Sequence, residues 1–184
     1  MFQCFYICVG GIIGTYEGSG GDLLDIYIPG SSTTNVTKKS TNVIIPSDVV
    51  FETDRINLTC GGNNANGTAY HAAFCFPTLI DFTGQNFFVI DTYMHDMSTN
   101  GSNLFIYLMN TSTLQDNYYT KPTPIHELSL RNTSLFASKS AKNKRCLGVI
   151  DVRDISGSYY IHVVAICDYW ERINVDILRM FFMP

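Results

Sequence analysis

The chain has 184 residues, which is enough for one domain with a hydrophobic core of its own. Hydrophobic residues make up 46% of it and charged residues only 15%, a balance that excludes an intrinsically disordered chain. The net charge of −4, with 12 Lys and Arg spread along the sequence, argues against a nucleic-acid-binding domain. No apolar run reaches about 18 residues, so the sequence predicts no membrane span.

The first 21 residues combine an apolar run with a glycine-rich stretch. Residues 1–14 resemble the hydrophobic part of a secretory signal peptide, with a small-residue cleavage pattern near Gly11. However, no Lys or Arg precedes the run, and Gln3 and two cysteines interrupt it. A first strand is therefore the alternative. We expect residues 1–184 to form one β-rich domain, in which residues 1–21 are either signal-like or an edge strand.

Six Asn-x-Ser/Thr sequons occur along the chain, against about two or three expected by chance from its composition. They begin at Asn35, Asn57, Asn66, Asn100, Asn110 and Asn132. Asn110 and Asn132 lie at the edges of predicted elements and only Asn57 lies inside a predicted strand, so the Asn57 sequon is either unused or marks an outer sheet face. The excess predicts a secreted or surface-displayed glycoprotein. The region after Asn132 has no sequon and is the first place to expect a partner.

Short apolar stretches alternate with turns rich in Gly, Pro and Asn, at intervals of about 8–15 residues. The predicted strands are residues 23–28, 43–45, 49–51, 55–60, 69–76, 87–97, 104–110, 146–152 and 159–167. The tail, residues 168–184, fits the spacing of either a helix or a strand. This pattern predicts an all-β fold, namely an antiparallel β-sandwich or jelly roll, with a closed calycin-like barrel as the alternative.

Two apolar runs around Ser156-Gly157 suggest a β-hairpin. If those two residues form the loop, Cys146 lies directly opposite Cys167, and one face of the hairpin is almost wholly apolar. Opposed α-carbons at such a position lie about 4.5 Å apart, which a disulfide tolerates. The sequence therefore predicts a disulfide between Cys146 and Cys167.

The chain has six cysteines, and this even number beside many sequons fits disulfides in an oxidising compartment. No Cys-x-x-Cys motif occurs, so a zinc ribbon or a thioredoxin-type site has no support. By elimination, Cys60 would pair with Cys75. Cys4 would then pair with Cys8 or remain unpaired.

The four histidines are scattered, without a metal-binding spacing, and the sequence predicts no metal and no cofactor. In the proposed hairpin, His162 lies opposite Asp151, an arrangement that can orient a catalytic imidazole. An exposed pair on an outer face is the alternative reading. Asp91, His95 and Asp96 could contribute to a carboxylate site for a cation or a glycan, or His95 could simply be half-buried.

The one basic cluster comprises Lys139, Lys142, Lys144 and Arg145. Lys142, Lys144 and Arg145 resemble a proteolytic processing site directly before Cys146. An uncleaved, solvated loop is the alternative.

Together these features predict an extracellular, N-glycosylated binding module that recognises a protein, or a glycan, without catalysis. A secreted hydrolase that uses His162 and Asp151 with an unidentified nucleophile is the first alternative. A structural subunit of an extracellular or virion assembly is the second, with the apolar tail as the interface of an oligomer.

Overall fold

A computed structural model describes residues 4–7, 24–40, 48–61, 70–97, 102–116, 118, 124–129, 142–167 and 171–183. These residues form thirteen strands and no helix, and so contain no helix able to cross a membrane. The strands are β1 (Cys4–Ile7), β2 (Leu24–Tyr27), β3 (Thr37–Ser40), β4 (Asp48–Phe51), β5 (Ile56–Gly61), β6 (Tyr70–Cys75), β7 (Ile80–Asp81), β8 (Phe87–Met97), β9 (Ser102–Met109), β10 (His126–Ser129), β11 (Lys144–Asp151), β12 (Ser158–Cys167) and β13 (Arg172–Met183).

The strands form two antiparallel sheets. The first has seven strands in the order β1-β11-β8-β13-β5-β4, and β2 pairs with the C-terminal part of β13. The second has six strands in the order β10-β9-β12-β6-β3, and β7 pairs with the start of β12. The tail is thus neither a helix nor an appendage, because β13 lies between β8 and β5 in the first sheet.

One hydrophobic core lies between the two sheets. The first sheet contributes alternate residues of its central strands, among them Leu58, Ile90, Val175 and Ile177. The second contributes alternate residues of β6, β9 and β12, among them Phe74, Ile106, Val163 and Ala165. Since no hydrogen-bonded strand pair joins the sheets within the described ranges, the sandwich interpretation is confirmed and the closed barrel is wrong.

Aromatic rings fill one end of this core. Phe82, which follows β7, is fully buried. Its ring centroid lies 4.9 Å from that of Phe182 and 6.2 Å from that of Phe88. The backbone N–H of Phe82 donates to the carbonyl of Gly157, at 2.9 Å, which ties this segment to the entry of β12.

The predicted hairpin around Ser156-Gly157 is wrong. β11 pairs with β1 and β8 in the first sheet, whereas β12 pairs with β6 and β9 in the second. Residues 152–157 connect the two sheets, and Val152 and Ile155 of this connection are buried in the core. Both strands do turn an apolar face to the same core, but from opposite sides of it.

The predicted register, with Cys146 opposite Cys167, is wrong as well, because these residues lie on strands of different sheets. No disulfide joins any two of Cys60, Cys75, Cys146 and Cys167, the cysteines whose side chains the structure describes. Cys60 faces the central core, while Cys75 packs on the outer side of the second sheet. Cys4 belongs to β1, an edge strand of the first sheet, and Cys8 lies outside the described residues.

Residues 100–101, an Asn-Gly pair typical of hairpin turns, lie outside the described residues, but the strands on either side of them do not pair with each other. β8 belongs to the first sheet and β9 to the second. The bounds of β8 nevertheless agree with the predicted strand, residues 87–97.

Candidate functional site

A β-bulge interrupts the pairing of β8 with β13. Val175 lies opposite Met94 and Asn174 lies opposite Asp96, so His95 is the extra residue. His95 contacts Tyr93, with ring centroids 4.8 Å apart, on the outer face of the first sheet. Bulges often redirect side chains next to functional sites, because they break the alternation of the strand.

Asp176 of β13 lies at the centre of this outer face. Its side chain is only 4% exposed, although the face borders solvent. The carboxylate contacts His95 Nε2 at 2.7 Å and accepts a hydrogen bond from Asn57 Nδ2 at 2.7 Å, and Arg55 Nε lies 3.6 Å away. Such partners are needed because a buried carboxylate without them is strongly unfavourable.

Asn57 connects this carboxylate to the neighbouring strand residues. Its Nδ2 also donates to Asn174 Oδ1 at 2.9 Å, and its Oδ1 accepts from Thr59 Oγ1 at 3.0 Å. The group formed by Arg55, Asn57, His95, Asn174 and Asp176 is called the Asp176 network below. The nitrogen to which a glycan would be attached therefore lies inside this network.

A second ion pair lies on the same face, between β8 and β11. Arg145 Nε donates to Asp91 Oδ1 at 2.9 Å, and Arg145 Nη2 donates to Asp91 Oδ2. These hydrogen bonds raise the pKa of the Arg145 guanidinium. The Asp91 side chain is nearly buried, whereas that of Arg145 is 48% exposed. Arg145 is thus held in place and still accessible.

The basic segment of the predicted processing site is folded against β8. Lys142 pairs with Asp96, with 3.2 Å between Nζ and Oδ1, and the N–H of Asn143 donates to the carbonyl of Met94 at 2.7 Å. Asn143 has a positive φ of 56°, and Lys144 begins β11 directly after it. Cleavage at this segment stays a prediction.

The proposed pairing of His162 with Asp151 is wrong. Asp151 lies on β11 and its carboxylate accepts from Arg153 Nε at 2.9 Å. His162 is fully buried on β12, where both ring nitrogens are engaged. Nε2 lies 2.8 Å from the Thr111 carbonyl, which can only accept, so Nδ1 accepts from the Tyr118 hydroxyl at 2.8 Å.

The outer face of the second sheet is covered by the chain itself. Leu114 and Tyr118, which follow β9, pack on its outward residues Ala73, Tyr107, Val164 and Ile166. The rings of Tyr107 and Tyr118 are nearly parallel, with centroids 5.9 Å apart. The two outer faces therefore differ: this one is a second hydrophobic cluster. The outer face of the first sheet carries the Asp176 network and the Arg145–Asp91 pair beside apolar residues such as Val89 and Val149.

His71 lies beneath the same cover and gives the chain a pH-dependent stability. Burial, with a smaller contribution from the charge of Lys39, lowers its pKa to about 4, and Asp116 opposes this weakly. Burial also lowers the pKa of His162. At His71 the unfolded chain therefore binds more protons than the folded one between pH 4 and about 6.5, and the lowered pKa of His162 acts in the same direction.

The contribution of these neutral histidines to the free energy of unfolding is therefore fully present above about pH 6.5, and it is lost as the pH falls toward 4. For His71 alone we expect a loss of about 2 kcal/mol between pH 6.5 and 4.5, measured by urea unfolding. The variant His71→Gln should show a shallower dependence on pH. Equal dependence in the two proteins would contradict this assignment.

The structure places the described sequons differently. Asn35, in the turn before β3, and Asn110, directly after β9, are exposed and border the second sheet. Asn57 is partly buried on the outer face of the first sheet. Asn66, Asn100 and Asn132 lie outside the described residues, as does Lys139.

Sequence reasoning found Asp91 and His95 on this face but missed Arg55, Asn57 and Asp176 as their neighbours. Nothing in the sequence marks the bulge or the pairing of β13 with β5 that brings them together. Among the described residues, no three His, Cys, Asp or Glu side chains are placed to hold a metal ion.

No protein-family model matches the chain, and no curated protein is similar to it. Among solved structures, it is similar to the K1 cleaved adhesin domain of Lys-gingipain from Porphyromonas gingivalis W83. The identity is 9%, the TM-score is 0.47, and the match covers 89% of this chain and 98% of that domain.

Proposed function

We propose that the chain is a non-enzymatic binding module displayed outside the cell, and that it recognises a partner protein through the outer face of its first sheet. One observation carries this proposal: Tyr93, His95 and Arg145 lie partly exposed on that face while buried carboxylates hold two of them in place. His95 is held by Asp176 and Arg145 by Asp91.

This arrangement favours binding because the side chains are ordered before a partner arrives. Ordering a long side chain at an interface costs about 0.5–1.5 kcal/mol, and a fixed Arg has lost much of that freedom already. Tyr and Arg are also the residue types that most often dominate interface energies. The face thus offers an aromatic and a cationic anchor on a rigid surface.

A protein fits this face better than a glycan. The face is an antiparallel sheet whose exposed groups form ion pairs of mixed sign, including Arg145 with Asp91 and Lys142 with Asp96. Such a pattern gives specificity when a partner presents the complementary charges. In the described part of the second sheet, Leu114 and Tyr118 cover outward residues such as Ala73, Tyr107 and Val164.

The two alternative functions required arrangements of residues that differ from those in the structure. The hydrolase required His162 beside Asp151, and these lie in different sheets. The assembly subunit required an apolar tail free to form an interface. Five apolar residues of β13 instead pack in the core of the same chain, namely Ile173, Val175, Ile177, Met180 and Phe182.

The sequon positions agree with this choice of face. In an exported chain, glycans on Asn35 and Asn110 would project from the side of the second sheet. Asn57 would remain unmodified, because a glycan would replace one of the two N–H groups with which its amide binds Asp176 and Asn174. The outer face of the first sheet would then remain open at this position.

After expression through a secretory pathway, we therefore expect glycans on Asn35 and Asn110 and none on Asn57. Treatment with a peptide-N-glycosidase followed by peptide mapping measures this, since that amidase releases each N-linked glycan and converts the glycosylated Asn to Asp. Conversion at Asn110 is the positive control. Conversion at Asn57 would contradict the structural role of its amide.

The proposed function is tested by screening the multimerised domain against panels of extracellular proteins and, separately, of free glycans. We expect saturable binding to a protein that persists after the partner has been deglycosylated. Binding to glycans alone, or turnover of any binder, would contradict the proposal. So would the absence of any binding in a panel that includes the cell surface on which the chain is naturally found.

A further inference from the structure

We propose that Cys60 and Cys167 form a disulfide that links the two sheets through the core. Cys60 lies on β5 of the first sheet and Cys167 at the end of β12 of the second. Both are fully buried, and both face the same central core. Cys167 Sγ donates to the Cys60 carbonyl oxygen at 3.1 Å, so the sheets approach closely at this point.

The contact between Cys167 Sγ and the Cys60 carbonyl sets an upper limit on the backbone separation. A cysteine sulfur lies about 2.8 Å from its own α-carbon, and a carbonyl oxygen about 2.4 Å from its own. With the contact of 3.1 Å between them, the two α-carbons are at most about 8 Å apart. The two α-carbons of a disulfide lie about 4.4–6.8 Å apart, which is within this limit. Because Cys167 Sγ now contacts the Cys60 carbonyl, the bond requires Cys167 Sγ to leave that carbonyl and turn toward Cys60 Sγ.

The other two cysteines whose side chains are described, Cys75 and Cys146, are placed differently. Cys75 is on the outer side of the second sheet, and its Sγ lies 3.1 Å from the Phe76 carbonyl. Cys146 is on β11, which β8 and β13 separate from β5. Three strand spacings amount to about 14 Å, which is too far for a bond between Cys146 and Cys60.

The reaction balances as a thiol–disulfide exchange with a small-molecule disulfide such as oxidised glutathione. The thiols of Cys60 and Cys167 together lose two protons and two electrons and form one S–S bond. The S–S bond of the oxidant breaks and gives two glutathione thiols. Because both cysteines are fully buried in the folded chain, the exchange takes place during folding, before the core closes.

The bond would join residues 107 positions apart in the sequence, a long loop whose closure strongly restricts the unfolded chain. For a chain of this size we expect reduction to lower Tm by roughly 5–15 °C. Formation of the bond in the cell depends on the oxidising compartment of the proposed function. Its geometry does not.

The test is to refold the full chain from the denatured, reduced state in a buffer of reduced and oxidised glutathione. Non-reducing digestion and mass spectrometry should identify a peptide pair that joins Cys60 to Cys167, and dithiothreitol should lower Tm. In Cys60→Ala and Cys167→Ala, Tm should not respond to dithiothreitol. In Cys75→Ala, the matched buried control, the response should persist.

A bond from Cys60 or Cys167 to any other cysteine would overturn the inference. So would the finding that both thiols, after oxidative refolding and subsequent denaturation, still react with an alkylating reagent. The mapping of the wild-type chain decides this even if a variant fails to fold. A further outcome is a bond that forms in vitro and yet is missing from the protein isolated from its source. That result would contradict the extracellular location but would support the pairing of Cys60 with Cys167.

Discussion

Replacing Asp176 with alanine is expected to lower the free energy of unfolding by about 3 kcal/mol. The substitution removes a nearly buried carboxylate that binds His95 and Asn57, with Arg55 close by. The loss stays below the upper range for a broken buried pair, because His95 and Arg55 are about 40% exposed and can turn to water. Urea unfolding at pH 7 measures the change.

The control for this prediction is Asp48→Ala in β4 of the same sheet. Asp48 pairs with Lys38 at 3.2 Å, but its side chain is 50% exposed. Exposed pairs contribute little, so we expect a change of at most about 1 kcal/mol. If the two substitutions cost the same, the Asp176 network does not stabilise the sheet as described.

Replacing Phe82 with alanine is expected to cost about 4 kcal/mol, the largest effect of any single change considered for this chain. Phe82 is fully buried and contacts the rings of Phe88, Tyr159 and Phe182. Its removal leaves a cavity at one end of the core that the surrounding strands cannot fill, because their positions are fixed by backbone pairing. Denaturant unfolding of both proteins gives the difference.

Leu79→Ala is the matched control, three residues earlier in the chain. Leu79 is 49% exposed, so its truncation should change the free energy of unfolding by about 0.5 kcal/mol or less. If Phe82→Ala lowered the free energy of unfolding by less than about 1 kcal/mol, the packing of Phe82 would not stabilise the core as described.

The strands could be predicted from the sequence to the extent that local patterns determine them. The bounds of β8 were predicted because alternation and turn residues mark both of its ends. The helix-or-strand ambiguity of the tail could not be resolved, since β13 contains a second register shift, between Ile177 and Arg179, that breaks strict alternation. Pairing to two neighbours decides its conformation, and that is tertiary information.

The hairpin prediction failed for a related reason. Any strand that borders the core has an apolar residue at every second position. This pattern is the same whether the next strand in the sequence pairs with it in one sheet or lies across the core in the other sheet. Cys146 and Cys167 satisfy that pattern equally well in both arrangements. Only the connection, residues 152–157, distinguishes them, because Val152 and Ile155 are buried in it.

The site was predictable only in part, because it combines three strands far apart in the sequence. Asp91 and His95 could be singled out on one strand. Asp176 could not, because its position beside Asn57 depends on the pairing of β13 with β5. The bulge at His95 has no signature in the sequence, so the contact of His95 with Asp176 could not be read from the sequence either.

The central claim is that the outer face of the first sheet binds a partner protein, and its most direct test is the affinity of Tyr93→Ala. The matched control is Tyr160→Ala, a half-buried tyrosine on the outer face of the second sheet. Surface plasmon resonance with the partner from the screen gives both values, after circular dichroism has shown that each variant is folded. We expect Tyr93→Ala to weaken Kd at least about 10-fold and Tyr160→Ala by less than about 2-fold. Unchanged affinity in Tyr93→Ala together with a loss in Tyr160→Ala would place the binding surface on the other sheet and contradict the claim.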